Sequence, residues 1–392
     1  MKAWFDAAAV GLYVHVPFCA SLCGYCDFFR VESPGGVPVG FEALLVEEAA
    51  LFGETPPLQV DTVFFGGGTP SLLGPDRLGR LLAELGRVFE IRPSAEITLE
   101  ANPETVNEAS LAGWRQAGVT RLSIGVQSLT PGVLAALERR APAATALAAV
   151  ELAARSGFKH LSADVMSGVP GQGGGDLEDT VERLAELPLD HLSVYSLDLH
   201  PKTPLWEAVA AGNLTLPGDD EAADQFLAVH GILQQRGFEH YEVSNYARPG
   251  GRSRHNLRYW QGGQTVGLGP SAWSRFKGRL WGNPRSLDAW TRRVREGGTP
   301  PGDAERLTPE REREDRVIFG LRVSDGAGLQ DLIDLFAVDQ READVVLKPL
   351  LAHGYAVVED SRLKLTVQGF LMSNEVLTYL LPRSWPRARP EA

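Results

Sequence analysis

The sequence predicts an α/β protein, a partial parallel (β/α) barrel followed by a small, separate C-terminal domain. Two observations predict it. Six short β-branched or apolar runs, at residues 12–16, 60–65, 96–100, 121–126, 160–166 and 191–197, alternate with stretches whose apolar residues recur at helical spacing. Strand, helix, strand repeated this often implies a parallel sheet, closed or partly closed into a barrel. The alternation breaks at Glu296-Gly-Gly-Thr-Pro300-Pro301-Gly302-Asp303, whose glycines and prolines mark a boundary. The expected organisation is a barrel over 1–295, a linker over 296–309, a C-terminal domain over 310–382 and a disordered tail over 383–392.

Taken in order, the first run ends at Val16 and leads into Cys19-Ala-Ser-Leu-Cys23-Gly-Tyr-Cys26, which holds every cysteine of the 392-residue chain. Residues 41–52, 77–89 and 111–117 then read as amphipathic helices. In such barrels ligands gather at the C-terminal strand ends, so the residues after each run take the functional reading first. The second run is followed by Gly66-Gly67-Gly68-Thr69-Pro70, the third by Glu100-Ala-Asn102-Pro103 and the fourth by Gln127-Ser128. The fifth contains Asp164, and the sixth contains Tyr195 and ends near Asp198. The triple glycine either makes a tight strand-to-helix turn or brings backbone close to a ligand, and its place beside the cysteine loop favours the ligand. Residues 203–236 are helical, with Asp219-Asp220-Glu221 supplying an acidic first turn. Beyond the boundary come helices over 311–321, 329–335 and 342–353, a hairpin around Glu359-Asp360-Ser361, and a last helix over 370–380.

A net charge of −12 argues against a nucleic-acid binder, which needs clustered Lys and Arg on a basic face. Asp6 interrupts the apolar N-terminal stretch, and no run approaches the ~20 residues of a membrane span. A cytoplasmic location is expected, where thiols stay reduced.

Three thiols at C-x3-C-x2-C spacing converge from one loop on one metal centre. A structural zinc takes four protein ligands, and a four-iron cube takes one ligand for each iron, so three cysteines leave a place open in either case. His15 completing a zinc knuckle is one reading. A cube whose fourth iron is free for a small molecule is the preferred one.

The segment Tyr13-Val-His15-Val-Pro17-Phe18-Cys19, the cysteine spacing and the aromatic Tyr25 resemble the radical S-adenosylmethionine superfamily. Within it, the chain is similar to the group of oxygen-independent coproporphyrinogen III oxidases, in particular its haem-chaperone branch. The resemblance implies a 4Fe–4S cluster on Cys19, Cys23 and Cys26, with S-adenosylmethionine on the remaining iron. It also implies contacts to that cofactor from Tyr13, Tyr25, Gly67, Gly68, Thr69, Glu100, Gln127, Arg139 and Asp164. Arg139 is expected beside Arg140 on a helix, where a surface charge pair is the alternative reading. The blocks at 237–246, 255–260 and 267–274 resemble the same group, and the three helices with a two-stranded wing resemble its winged-helix-like end domain.

Imidazole and aromatic side chains in these blocks suit a flat macrocycle, with His255 as a haem ligand or as packing at the barrel edge. The resemblance therefore implies haem or a porphyrin as cargo, haem-acceptor proteins as partners and an electron donor for the cluster. The group's oxidases carry a further Cys where this chain has Phe28, and a longer extension before the first cysteine. Both differences favour a haem chaperone over radical decarboxylation of porphyrinogen propionates to vinyls. The family's usual His after Arg139 is Ala141 here, and its Ala-His-Ser is Ala272-Trp273-Ser274. Any haem task of those histidines has then moved, with His200 and His255 as candidates.

Overall fold

The computed structural model describes residues 5–298 and 300–381. Six strands follow the six runs: β1 (Val10–Val16), β2 (Gln59–Gly67), β3 (Glu90–Ala101), β4 (Arg121–Gln127), β5 (His160–Ser167) and β6 (His191–Ser196). They lie side by side in parallel, in chain order. A seventh parallel strand, β9 (Thr265–Leu268), pairs with β1 on its other side. Antiparallel strands continue both edges. Strands β7 (Glu239–Glu242) and β8 (Asn245–Ala247) extend the β6 edge, with β8 on β6. Strands β10 (Trp273–Phe276), β11 (Arg279–Gly282) and β12 (Glu305–Arg306) extend the β9 edge. The twelve strands form one open sheet, so the barrel is partial.

The alternation of each central strand explains the layering. In β3 to β6 the apolar Leu99, Leu122, Ile124, Leu161, Ala163, Val165 and Leu192 are buried in the main core. The residues between them, among them Thr98, Glu100, Ser123, Ser162, Asp164 and Ser193, line an internal cavity on the other face. Helix Gly74–Val88 shows how the outer layer closes. It buries Leu78, Leu81, Leu82 and Leu85, one stripe at i, i+3, i+4 and i+7. Helix Glu108–Gln116 starts at Asn107, whose side chain accepts from the Ser110 amide in a capping box.

The stretch expected as a linker contains β12, which joins the sheet through Arg279 and Leu280. The C-terminal part has its own core, including Val317, Leu332, Leu347, Leu363 and Phe370. Helices Pro309–Gly320, Leu329–Phe336 and Gln340–Ala352 precede a wing of β14 (Ala356–Glu359) and β15 (Arg362–Leu365), on which β13 (Ala327–Gly328) pairs. Asp360 and Ser361 turn the wing with φ of 50° and 58°, the left-handed pair that suits a two-residue hairpin. The expected last helix is two, Val367–Leu371 and Ser373–Leu380. The expected tail over 383–392 lies outside the described residues.

Candidate functional site

The cysteine loop leaves the end of β1 and is pinned at its root. Phe18–Cys19 pairs in parallel with Val31–Glu32, and the Val31 amide donates to the Pro17 carbonyl at 2.7 Å. His15 lies 2.9 Å from the Phe29 carbonyl through Nε2 and 3.0 Å from the Tyr13 hydroxyl through Nδ1. A carbonyl only accepts, so Nε2 carries the proton and Nδ1 accepts from the tyrosine. Burial lowers the His15 pKa and favours this neutral form. Both ring nitrogens are thus engaged, which leaves neither for a zinc knuckle. Arg30 braces the loop from within, donating to the carbonyls of Cys26 and Cys23.

Cys19, Cys23 and Cys26 are free thiols, the first buried and the others half-buried. Among the described residues they form no ready metal-coordinating group. They are nonetheless close enough that Cys26 and Cys23 add to the burial that pushes the Cys19 thiol up. Arg139 places Nη1 3.8 Å from the Cys23 sulfur. Three thiols on one braced loop beside a guanidinium make a donor set that fits a cluster taking three thiolates.

The glycine turn packs directly on this loop. Gly68 and Thr69 donate their amides to the carbonyls of Val16 and Phe18, each at 2.8 Å. Gly67 has φ of 113°, and a Cβ there would stand 2.7 Å from the His15 ring. A Cβ on Gly68 would stand 2.7 Å from the Pro17 carbonyl carbon. Close approach to the cysteine loop is therefore a sufficient reason for both glycines. Tyr25 packs with the small cluster of Val133, Leu137, Met166 and Val169.

Behind the loop a chain of side chains links its two ends. Thr69 hydrogen-bonds the Cys19 thiol. Asn102 donates to Thr69 Oγ1 at 3.2 Å and accepts from Arg139 Nη2 at 3.3 Å. Arg139 also donates to the Gly125 carbonyl at 2.7 Å. The expected helix around Arg139 is a loop instead, because the helix Pro131–Ala136 ends and Glu138 takes a left-handed φ of 54°. That turn sends the guanidinium to the thiols rather than to the surface. Arg30 was not singled out from the sequence, and Asn102 was read only as part of the block after the third run, with no role of its own. No pattern marks Arg30, but period-two alternation from Glu100 puts Asn102 on the cavity side.

Deeper in, Glu100 accepts from the Gly67 amide at 3.3 Å. Burial, with the negative charge of Asp164, pushes its carboxyl up to about 8. Burial likewise pushes Asp164 up to about 6, against hydrogen bonds from Ser193 and Ser123 and the charge of Arg139. Ser123 donates to Asp164 at 3.0 Å. Gln127, φ 67°, follows a register shift between β4 and β5. His255 is 1% exposed, with Nδ1 2.9 Å from Thr62 Oγ1 and Nε2 3.2 Å from the Tyr259 hydroxyl. In this arrangement it offers iron no free nitrogen. Of the two candidates His200 is the accessible imidazole, half-exposed with Nε2 3.5 Å from an Asp198 oxygen and Nδ1 3.8 Å from an Asp27 oxygen.

Exposed aromatic side chains occur on the loop and on segments that follow the strands. Phe28 on the loop is 70% exposed, and Trp273, just beyond the end of β9, is 59% exposed. Tyr195 at the end of β6 and Trp206 are also exposed; Trp206 lies on helix Pro204–Ala210, where the Leu205 amide donates to Gly24.

An open parallel sheet with three thiols at the C-terminal rim of its first strand defines a class. The chain belongs to the Radical SAM superfamily, whose model matches residues 13–184. It is 38% identical over 376 residues to the "Heme chaperone HemW" of Mycobacterium tuberculosis, covering 95% of this chain and 94% of that one. To the Bacillus subtilis protein of the same name it is 32% identical, over 93% and 97%. Among solved structures it is similar to coproporphyrinogen III oxidase (HemN) from Escherichia coli, with a TM-score of 0.80 at 23% identity, covering 95% and 90%. That likeness is one of fold. Membership implies a 4Fe–4S cluster and S-adenosylmethionine. Among the described residues no helix is long and apolar enough to cross a membrane.

Proposed function

We propose that the chain is a haem chaperone that receives haem at the aromatic rim of its cysteine loop and passes it to acceptor proteins. The carrying observation is that rim. Phe28 on the loop and Trp206, whose helix is bonded to Gly24 of the loop, keep large rings exposed, and Trp273 adds another on β10; a flat macrocycle can stack on such rings. The names of the relatives at 32–38% identity support the same reading.

In this proposal Cys19, Cys23 and Cys26 hold three irons of the cluster, and S-adenosylmethionine takes the fourth. When bound, the pair supplies one-electron chemistry. The chain's own residues orient it. The Arg139 guanidinium would suit the ligand's carboxylate, and the turn at Gly67, Gly68 and Thr69, which packs on the thiol loop, would hold its amino-acid end. Gln127 and Asp164 suit hydroxyl groups, and Glu100, protonated at neutral pH, donates instead of only accepting. Tyr13 acts through His15, and Tyr25 packs beside the thiols. His200 is positioned for the haem iron, whereas His255 must first release Tyr259 or Thr62. A reduced, cytoplasmic setting keeps the thiols available, and an electron donor would act on the cluster.

Anaerobic reconstitution tests the proposal. Titration with haem, followed by absorbance, should saturate at one equivalent and transfer to an apo-acceptor. Release of carbon dioxide from coproporphyrinogen III with reductant and S-adenosylmethionine would overturn it in favour of the oxidase.

A further inference from the structure

Thr98 and Arg121 are register partners on β3 and β4, and both point to the polar face of the sheet. They are 1% and 2% exposed. The guanidinium is held firmly: Nε donates to Glu96 at 3.2 Å, and Nη2 to the carbonyls of Gly251 at 2.9 Å and Arg252 at 3.2 Å. Its remaining nitrogen, Nη1, has no hydrogen-bond partner among the described residues, and neither has Thr98 Oγ1. Two adjacent buried donors without acceptors are uncommon, because each forfeits its hydration.

Both residues line one cavity of about 30 Å³. Asn256, on helix Arg254–Trp260, lines it too, and Glu100, Asp164 and Tyr195 line it towards the rim. His191, also in the wall, is fully engaged by Ser162 Oγ at 2.8 Å and the Tyr241 hydroxyl at 2.8 Å. Burial and the charge of Arg121 hold the pKa of His191 well below the usual value, so it brings no charge. The guanidinium is the cation of this inner end. Burial and the charge of Asp164 push the Glu100 carboxyl up to about 8, so the cavity's negative charge sits on Asp164, towards the rim and away from the guanidinium.

We propose that Arg121 Nη1 and Thr98 Oγ1 form a carboxylate-binding site at the inner end of the barrel cavity. Two neighbouring donors, one of them cationic, match the two oxygens of a carboxylate, and the space admits one such group. The carboxylate comes either from a free small acid or from a propionate arm of the macrocycle. The second source rests on the haem-chaperone reading, and the first does not.

The test compares the full chain with Thr98→Val, which keeps the side-chain shape and removes only an unpartnered hydroxyl. Its melting temperature should match or exceed that of the parent. Calorimetric titration with sodium formate, against sodium chloride at equal ionic strength, should show saturable binding to the parent. The variant should lose about tenfold in affinity, as expected for one bond to a charged group. No formate binding, or equal binding to both proteins, would overturn the proposal and leave the two donors to a buried water only.

Haem and its dimethyl ester distinguish the sources. A preference for the free acid that Thr98→Val abolishes assigns the site to a propionate. Formate binding without that preference assigns it to a small acid. Failure of both haem forms to bind would remove the chaperone reading while the formate result stands.

Discussion

Asn102→Leu separates the cysteine loop's support from the rest of the fold. It removes two side-chain hydrogen bonds, 3.2 Å to Thr69 and 3.3 Å to Arg139, and keeps the same number and branching of heavy atoms. The bond to the neutral hydroxyl is worth about 1 kcal/mol and that to the guanidinium about 2 kcal/mol. Arg139 retains the Gly125 carbonyl, so the loss of global stability falls towards the lower end of that sum. The cluster should suffer more. Thr69 reaches Cys19 and Arg139 reaches Cys23, and removing such outer support typically costs ~10–100-fold in metal affinity. The assay is the rate of iron transfer from reconstituted protein to a chromogenic chelator, without oxygen. Asn107→Ala is the control, since losing that helix cap costs about 1 kcal/mol and leaves the Asn102 side-chain bonds to Thr69 and Arg139 in place. Iron release at the parental rate, or equal acceleration by the control, would refute the reasoning.

Other perturbations report on neighbouring parts. Glu100 sits at about 8 in the fold, so the folded state keeps a proton that the unfolded chain has shed, and stability present below pH ~4 is lost as pH rises towards 8. Glu100→Gln lacks that slope and should melt above the parent at pH 8, with the gap closing towards pH 5; parallel melting curves would contradict this. Asp61→Ala leaves Arg258, a fully buried guanidinium, without its carboxylate and should cost ~3–5 kcal/mol in urea unfolding. Gly68→Ala drives a methyl into the Pro17 carbonyl and should destabilise the loop by about 1–3 kcal/mol, with faster proteolysis near residues 19–30 as the readout.

The strand repeat was legible because each run carries apolar residues on the face that helices cover. Its polar alternates, such as Ser123 and Ser162, line the cavity in the structure, a face that the sequence reading did not assign. The seventh parallel strand was not legible. Thr265–Leu268 is short and glycine-bearing, and it earns its place only by pairing with β1 from far away in the chain. Glu305–Arg306 was hidden likewise, a two-residue strand inside a stretch rich in Gly and Pro. Among the site residues, the three cysteines announce themselves by spacing. Arg139 did not show its direction, since its turn depends on Glu138 in a conformation that no propensity assigns to glutamate. His255 illustrates the opposite limit: an imidazole conspicuous in sequence is occupied in space by Thr62 and Tyr259.

The root of the thiol loop is pinned by main-chain bonds and one imidazole, while Arg30 holds two of its carbonyls and Thr69 and Arg139 touch its sulfurs. The course of the loop is therefore fixed by protein groups on both flanks, and a cysteine exchanged for serine should lose its sulfur without displacing the backbone that carried it.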